Sequence, residues 1–172
     1  MLQLIVGGAR SGKSRYAASL AGEAQATYVA TAMRSDDTDF MARIARHREG
    51  RPASWVTVEE PRDPGRAALE AATPYVIVDC ATLWLTNLVL TRPPVCDEEI
   101  ERAIDAGIAR FAQAGSVREV IVVTNEVGGG VVPVEALARR FVDLQGRANQ
   151  RLAQTAQRVV LMVAGIPVEV KP

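Results

Sequence analysis

The chain has 172 residues, of which 48% are hydrophobic, and its 20 lysines and arginines balance its 20 aspartates and glutamates. This length and composition allow one domain with a substantial core and argue against intrinsic disorder. The zero net charge provides no bulk attraction to nucleic acid or to an anionic membrane surface.

The first predicted elements are a buried strand at residues 2–6, a glycine-rich loop and a helix at residues 14–21. The loop matches the phosphate-binding pattern G-x-x-x-x-G-K-[ST]. Its residues are Gly7, Gly8, Ala9, Arg10, Ser11, Gly12, Lys13 and Ser14. In such a loop backbone N–H groups surround phosphate oxygens, the lysine reaches the β- and γ-phosphates, and the hydroxyl can bind Mg²⁺. The pattern therefore predicts a nucleoside triphosphate site at a helix N-terminus.

Strands and helices alternate along the rest of the chain. Strands are predicted at residues 27–31, 75–79, 119–124 and 158–163, with a weaker one at 55–58 and an antiparallel edge strand at 168–170. Helices are predicted from Thr82 onward, at residues 97–114 and, after Pro133, at residues 134–157. Continuous apolar strands are typical of a parallel sheet that is buried on both faces. We therefore expect an α/β fold of the P-loop NTPase class, a RecA-like, mostly parallel sheet flanked by helices, as one domain over residues 1–172.

Ligands of such sheets bind at the carboxyl ends of the strands. This rule nominates the phosphate loop, the segment Thr31, Ala32 and Met33, the pair Asp79 and Cys80, and residues 125–130. For residues 125–130 a plain flexible connection is an equally good interpretation. Asp79 ends a buried apolar strand downstream of a phosphate loop, so it is predicted to hold Mg²⁺ opposite Ser14. The alternative is that Asp79 caps the next helix.

The sole histidine, His47, lies in an arginine-rich segment. On one helix Arg43, His47 and Arg51 would align at positions i, i+4 and i+8. Nearby cations lower the pKa of an imidazole and favour its neutral, nucleophilic form. His47 is therefore a candidate covalent nucleophile toward phosphorus. The alternative, which the spacing alone favours, is a semi-buried packing residue on a basic helix.

The remaining candidates carry weaker signals. Glu59 and Glu60 suit contacts to a base, a ribose or a substrate hydroxyl, but are more often solvated loop charges. Cys80 and Cys96 have neither metal-ligand nor redox spacing, and Cys80 is expected in the core. The first apolar run is short and leads into the phosphate loop, and no run of about 18 apolar residues is present. We therefore expect a cytoplasmic protein.

Taken together, the motifs resemble the bifunctional adenosylcobinamide kinase / adenosylcobinamide-phosphate guanylyltransferase family of cobalamin biosynthesis. The resemblance spans nearly the whole chain. It rests on residues 7–15, 28–32, 43–52 with Trp55, 78–88, 124–133 and 138–150. No single motif among them is specific, apart from the phosphate loop as a nucleotide marker.

The resemblance implies two reactions on one scaffold. The first phosphorylates the aminopropanol hydroxyl of adenosylcobinamide with ATP or GTP, and the second transfers GMP from GTP to that phosphate by way of a guanylyl-histidine. The matching residue here is His47, with Lys13 as the other catalytic residue. The positions that match the family's nucleotide-binding residues are the phosphate loop, Thr31, Ala32, Met33, Arg48, Glu49, Gly50, Arg51, Glu59 and Asp79. Mg²⁺, a corrinoid partner and a trimeric assembly are implied in the same way.

Two departures from the family pattern stand out. Phe40 replaces the carboxylate that usually precedes the methionine of the histidine helix, so any role of that acid is in doubt here. Gly129 stands where the family commonly has a larger residue, which would loosen the glycine loop without removing a functional group.

Two other functions remain open from the residues alone. The first is a monofunctional P-loop small-molecule kinase in which His47 is structural. The second is a nucleotide-dependent regulatory module, against which the sequence speaks. The strand at residues 119–124 is followed by Asn125-Glu126-Val127-Gly128 and not by an N-K-x-D guanine-reading motif.

Overall fold

The structure, a computed structural model, describes residues 1–33 and 35–172, except for the side chains of Phe40, Arg43 and His47. Its seven strands form one sheet. They are β1 (Leu2–Gly7), β2 (Ala26–Ala30), β3 (Val56–Glu59), β4 (Tyr75–Asp79), β5 (Glu119–Asn125), β6 (Arg158–Val163) and β7 (Ile166–Lys171).

The strand order in the sheet is β3-β2-β4-β5-β1-β6-β7. Every neighbouring pair is parallel except β6 with β7, which are antiparallel. Strand β5 lies between β1 and β4, so the phosphate loop after β1 and Asp79 at the end of β4 reach the same edge of the sheet on either side of β5. This arrangement confirms the predicted RecA-like, mostly parallel sheet and the antiparallel edge strand.

Six helices connect the described strands. They are α1 (Lys13–Ala21), α2 (Thr38–Glu49), α3 (Pro64–Glu70), α4 (Ala81–Val89), α5 (Asp97–Gly115) and α6 (Ala136–Thr155). Helices α3 to α6 pack on one face of the sheet around fully buried Phe111, whose ring meets that of Trp84 edge to face at 6.0 Å between centroids. Helix α1 packs on the other face, beside Ile5 and Ile77. Among the described helices, none combines the length and the apolar character that crossing a membrane requires.

Three local features differ from the sequence-based expectation. Arg51 lies beyond the end of α2 and does not continue the row of Arg43 and His47, because it precedes a proline, a position that disfavours the helical conformation. Helix α6 begins at Ala136, two residues after the predicted start. Helix α3 was not predicted; it begins at Pro64, and the side chain of Asp63 caps it by accepting the N–H of Arg66 at 3.0 Å.

Candidate functional site

The phosphate loop joins β1 to α1 through a backbone that requires glycine at two positions. Gly12, directly before the helix, has φ of 93°, in the left-handed region that favours glycine. A Cβ on Gly7 would lie 2.6 Å from the carbonyl oxygen of Met162 on β6. Lys13 is almost fully buried, and its ammonium donates a hydrogen bond to the Gly8 carbonyl oxygen at 2.6 Å. The loop thus holds a positive charge at the amino end of α1.

The turn between β6 and β7 packs directly on this loop. The N–H of Gly165 donates to the carbonyl oxygen of Ser11 at 3.0 Å, and a Cβ on Gly12 would lie 3.3 Å from the Gly165 Cα. Ala164 and Gly165 both line the cavity described below. Sequence reasoning missed this turn, although it follows β6 at the carboxyl edge of the sheet, where the rule for ligand sites applies.

Asp79 is held by an aromatic side chain from the neighbouring strand. The hydroxyl of Tyr28 on β2 donates to Oδ2 of Asp79. Burial, and then the negative charge of Asp79, raise the pKa of Tyr28 far above its ordinary value, so the phenol stays protonated and remains a donor. The Arg51 guanidinium lies 3.5 Å from the centroid of the Tyr28 ring and donates to Thr57 Oγ1 at 2.9 Å. Tyr28 therefore joins Asp79 to Arg51.

The turn after β4 is anchored by Thr31, which is fully buried. Its hydroxyl accepts the N–H of Cys80 at 2.8 Å and donates to the Cys80 carbonyl oxygen at 2.7 Å. The N-cap of α4 is Cys80, so the alternative in which Asp79 caps that helix does not match the structure. Burial, and then the charge of Asp79, raise the pKa of the Cys80 thiol to about 11, and the cysteine lies in the core as expected.

A cavity of about 860 Å³ opens at this edge of the sheet, within the size range of small-molecule sites. Predicted site residues that line it are Ala9, Arg10, Ser11, Gly12, Lys13, Ser14, Ala32, Arg51 and Asp79. Cys80 and Asn125, which the rule for strand ends nominated, also line it, as does Arg46 of the arginine-rich segment. Sequence reasoning did not assign Arg15 or Tyr28, which line it too. Predicted residues that are not in the lining are Gly7, Gly8, Thr31, Met33, Arg48, Glu49, Gly50 and Glu59; their roles in nucleotide binding stay predictions.

The charge of the cavity wall is strongly unbalanced. The described lining residues include five cations, Arg10, Lys13, Arg15, Arg46 and Arg51, and a single carboxylate, Asp79. Guanidinium and ammonium groups bind phosphate oxygens through charge-assisted hydrogen bonds. Although the whole chain is neutral, this cavity is therefore suited to a polyanion such as a nucleoside triphosphate.

His47 lies on α2, but its side chain is outside the described residues, as are those of Phe40 and Arg43. Two other side chains of α2, Ile44 and Arg46, line the cavity. Helix α2 therefore borders the cavity, and His47 directly follows the lining residue Arg46 in the chain. The nucleophile assignment stays a prediction, as does the consequence of Phe40.

The donor set suits a hard divalent cation bound together with phosphates. Ser14 and Asp79 both line the cavity, and the bond from Tyr28 occupies only Oδ2 of Asp79. Within the described part of the chain, no three His, Cys, Asp or Glu side chains gather into a metal-binding cluster. Mg²⁺ in nucleotide sites needs no such cluster, because one or two protein oxygens, substrate phosphates and water complete its coordination. The residues present therefore fit Mg²⁺.

Glu60 has a structural position. Its Oε1 accepts the N–H groups of Arg62 and Asp63 at 2.9 and 3.0 Å, and its carboxylate approaches the Arg66 guanidinium at 3.8 Å. Glu59 is exposed at the end of β3. The carboxylate of Glu60 thus organises the turn before α3 from outside the described cavity lining.

Comparison with known proteins identifies close relatives along the full length. A family model described as "Cobinamide kinase / cobinamide phosphate guanyltransferase" matches residues 3–170. The chain is 44% identical to "Bifunctional adenosylcobalamin biosynthesis protein CobU" of Salmonella typhimurium, over 99% of this chain and 100% of that protein. It is 42% identical to the protein of the same name from Escherichia coli, with the same coverage. It is also 42% identical to "Bifunctional adenosylcobalamin biosynthesis protein CobP" of Pseudomonas aeruginosa, over 99% of this chain and 98% of that protein.

Among solved structures, the fold is similar to that of "P4 protein from bacteriophage phi13". The two superpose with a TM-score of 0.51 at 12% identity, over 97% of this chain and 53% of that one. The chain thus spans about half the length of the phage protein. At this level of identity the likeness concerns the fold alone.

Proposed function

The chain belongs to the cobinamide kinase / cobinamide phosphate guanyltransferase family, and on that basis we propose that it carries out two successive transfers on adenosylcobinamide. The first is phosphorylation by ATP or GTP, and the second is transfer of GMP from GTP to the new phosphate. The observation that carries the proposal is the cavity at the phosphate loop, with five cationic side chains and one carboxylate. Such a wall suits a substrate whose reacting part is a triphosphate.

In the kinase step the loop and Lys13 hold the triphosphate. The hydroxyl oxygen of adenosylcobinamide bonds to the γ-phosphorus, and the bond from that phosphorus to the β,γ-bridging oxygen breaks with its electron pair on the departing nucleoside diphosphate. The hydroxyl proton leaves to solvent. Lys13 and the loop N–H groups stabilise the charge on the phosphate oxygens during this exchange. Mg²⁺, held by Ser14 and Asp79, would supply further charge neutralisation.

In the guanylyl step His47 is the proposed nucleophile. An imidazole nitrogen bonds to the α-phosphorus of GTP, and the bond to the α,β-bridging oxygen breaks to release pyrophosphate. A phosphate oxygen of adenosylcobinamide phosphate then bonds to the same phosphorus, the P–N bond breaks, and its electrons return to the imidazole. The support for this step is the likeness to a family that carries GMP on histidine and the location of His47 on α2, whose Arg46 lines the cavity.

The two other functions are less favoured. A monofunctional kinase is disfavoured because all three relatives are bifunctional by name. A regulatory module would not need to catalyse two transfer reactions. The chain also lacks the guanine-reading motif that switch proteins carry.

We also propose a cytoplasmic location, where ATP and GTP are available, and a homotrimer, as the family resemblance implies. Exposed apolar side chains on β7, Ile166 and Val170 among them, are compatible with subunit contacts.

The proposal is tested by turnover. The purified protein should convert adenosylcobinamide and ATP to the phosphorylated corrinoid, and then with GTP to adenosylcobinamide-GDP, both detected by mass spectrometry. Lys13→Ala should lower the phosphorylation rate by about 10²-fold or more, because it removes the charge that faces the transferring phosphoryl group.

The matched control for that variant is Lys171→Ala, since the chain has only these two lysines. Lys171 binds carbonyl groups at the end of α6, among them that of Ala156 at 2.6 Å, and is absent from the cavity lining. Lys171→Ala should keep wild-type turnover. A wild-type protein that binds ATP and GTP but never modifies cobinamide would contradict the proposed function.

A further inference from the structure

Four polar side chains form a hydrogen-bonded cluster in the interior, between β5, α4 and α6. Thr82, Thr124, Gln145 and Asn149 are each no more than 8% exposed. The hydroxyl of Thr124 donates to Asn149 Oδ1 at 2.8 Å and accepts from Gln145 Nε2 at 3.1 Å. Gln145 Nε2 also donates to Asn149 Oδ1 at 2.8 Å. We call these four residues the β5 cluster.

The β5 cluster holds one residue, Asn125, from both sides of its backbone. The N–H of Asn125 donates to Thr82 Oγ1 at 2.8 Å, and the Asn125 carbonyl oxygen accepts from Asn149 Nδ2 at 3.0 Å. The next residue along, Glu126, donates its N–H to the carbonyl oxygen of Gly7 at 3.0 Å. The end of β5 is thereby fixed to α4, α6 and the first residue of the phosphate loop.

Asn125 is also the polar residue of β5 that lines the cavity. It pairs in register with Gly7 of β1, and β5 separates β1 from β4, which ends at Asp79. Within the part of the chain that the structure describes, the Asn125 carboxamide makes no hydrogen bond to protein, whereas the side chains of the β5 cluster bond to one another and to the Asn125 backbone. Asn125 therefore lies at the cavity, at the end of the strand that separates the phosphate loop from Asp79.

Burying four polar side chains in a core is energetically demanding, because apolar residues of similar shape need no hydrogen-bond partners. One of these groups, Gln145 Oε1, even lacks a partner among the described residues. What the β5 cluster provides in return is a rigid backbone on both sides of a single residue at the cavity wall. Fixed placement of a donor matters most where charge develops during a reaction.

We propose that Asn125 contacts the reacting end of the triphosphate, with its Nδ2 donating to an oxygen of the γ-phosphoryl group during the kinase step. Thr82, Thr124, Gln145 and Asn149 act as positioning residues that hold Asn125 there. An amide suits this task because it donates to a phosphate oxygen without the added charge of another guanidinium, so it can favour the transition state without trapping the product. This inference rests on the proposed kinase activity.

The direct test is Asn125→Ala, assayed for adenosylcobinamide phosphorylation with saturating ATP. We expect kcat to fall by about 30-fold or more while KM for ATP changes by less than about 3-fold, because the contact strengthens in the transition state. Asn125→Asp, which replaces the donor with a carboxylate that repels phosphate, should lose at least as much. Both variants should fold like the wild type, because the altered group makes no hydrogen bond within the part of the protein that the structure describes.

A matched pair of substitutions tests the positioning role. Thr124→Val keeps the side-chain shape but removes the hydroxyl that bonds to both Gln145 and Asn149, and kcat should fall by about 10-fold or more. Thr124→Ser keeps the hydroxyl and should retain kcat within about 3-fold, although it removes a buried methyl group. Rates are measured well below the unfolding temperature of each variant.

The outcomes separate this inference from the proposed function. A wild-type protein without cobinamide kinase activity would overturn both. An active wild type with an unchanged kcat in Asn125→Ala would overturn the contact at Asn125 alone. An equal loss of kcat in Thr124→Val and Thr124→Ser would overturn the positioning role, since the hydroxyl would then be irrelevant.

Discussion

At the carboxyl edge of the sheet, the charged residue Asp79 and the buried residue Cys80 are neighbours in the chain. Asp79 is the one carboxylate among the described lining residues, and Tyr28 occupies one of its oxygens. The next residue, Cys80, is buried beside it, and its backbone is held by Thr31. A thiol in this position meets both low polarity and a negative charge, and both disfavour the thiolate.

We therefore expect Cys80 to be an unreactive thiol despite its place at the cavity. At pH 8 a thiol reagent should modify one cysteine per folded chain, the exposed Cys96, and both cysteines after unfolding. Because the pKa of Cys80 is raised to about 11, the thiolate is scarce at pH 8, and its modification rate should increase as the pH rises toward that value. The rate is followed by absorbance with a chromogenic disulfide reagent.

The variant Cys96→Ser isolates Cys80 in that measurement. In the folded state it should react with the reagent far more slowly than a free thiol at pH 8. Rapid labelling of folded Cys96→Ser at pH 8 would contradict both the burial and the raised pKa of Cys80.

At the scale of elements, α3 and α5 are in close contact through two glycines. A Cβ on Gly65 would lie 2.7 Å from the carbonyl oxygen of Gly107, and a Cβ on Gly107 would lie 2.8 Å from Cζ2 of Trp84. The rings of Trp84 and Phe111 fill the space beside this contact. Side chains larger than hydrogen therefore have no room where α5 passes α3 and α4.

The space around each glycine predicts that substitution by alanine affects stability differently at Gly107 and at Gly146. Gly107→Ala should lower the free energy of unfolding by about 1–3 kcal/mol, since the new methyl group overlaps Trp84. Gly146→Ala, in the middle of α6 with open space around it, should leave that free energy unchanged or raise it by up to about 1 kcal/mol through helix propensity. Urea denaturation monitored by circular dichroism measures both, and equal stability of the two variants would contradict the packing described.

The sequence predicted those features that are marked by residues close together in the chain. The phosphate loop was predicted because its glycines, lysine and serine lie within eight residues, and Asp79 because it ends an apolar strand. Helix α3 was missed because it is only seven residues long and opens with Pro64-Gly65, which looks like a turn, although Asp63 and Pro64 form a recognisable start. Pro52 carried the signal that Arg51 would leave α2.

Tertiary contacts could not be predicted in the same way. The β5 cluster depends on how α6 packs against β5, and residues 21 and 25 positions apart in the chain meet there. The packing of Gly165 on Ser11 joins residues from opposite ends of the chain. Neither contact leaves a periodic pattern in the sequence, so both emerge only from the fold.

For the whole molecule, the order of the strands explains how one scaffold can serve two reactions. Strand β5 lies between β1 and β4, so the phosphate loop, Asn125 and Asp79 lie along one edge, and α2 borders the same cavity. In the proposed scheme the loop steadies the triphosphate in both steps. In the same proposed scheme, cleavage occurs at the γ-phosphorus when a corrinoid hydroxyl attacks and at the α-phosphorus when His47 attacks.

The most direct test of this two-reaction account is covalent labelling with GTP carrying a label at the α-phosphorus. The wild-type protein should acquire a label that is lost in acid and stable in alkali, as expected of a histidine phosphoramidate, and release it on addition of adenosylcobinamide phosphate. His47→Ala should acquire no label while keeping its kinase activity. A label that survives His47→Ala, or formation of adenosylcobinamide-GDP by that variant, would contradict the account.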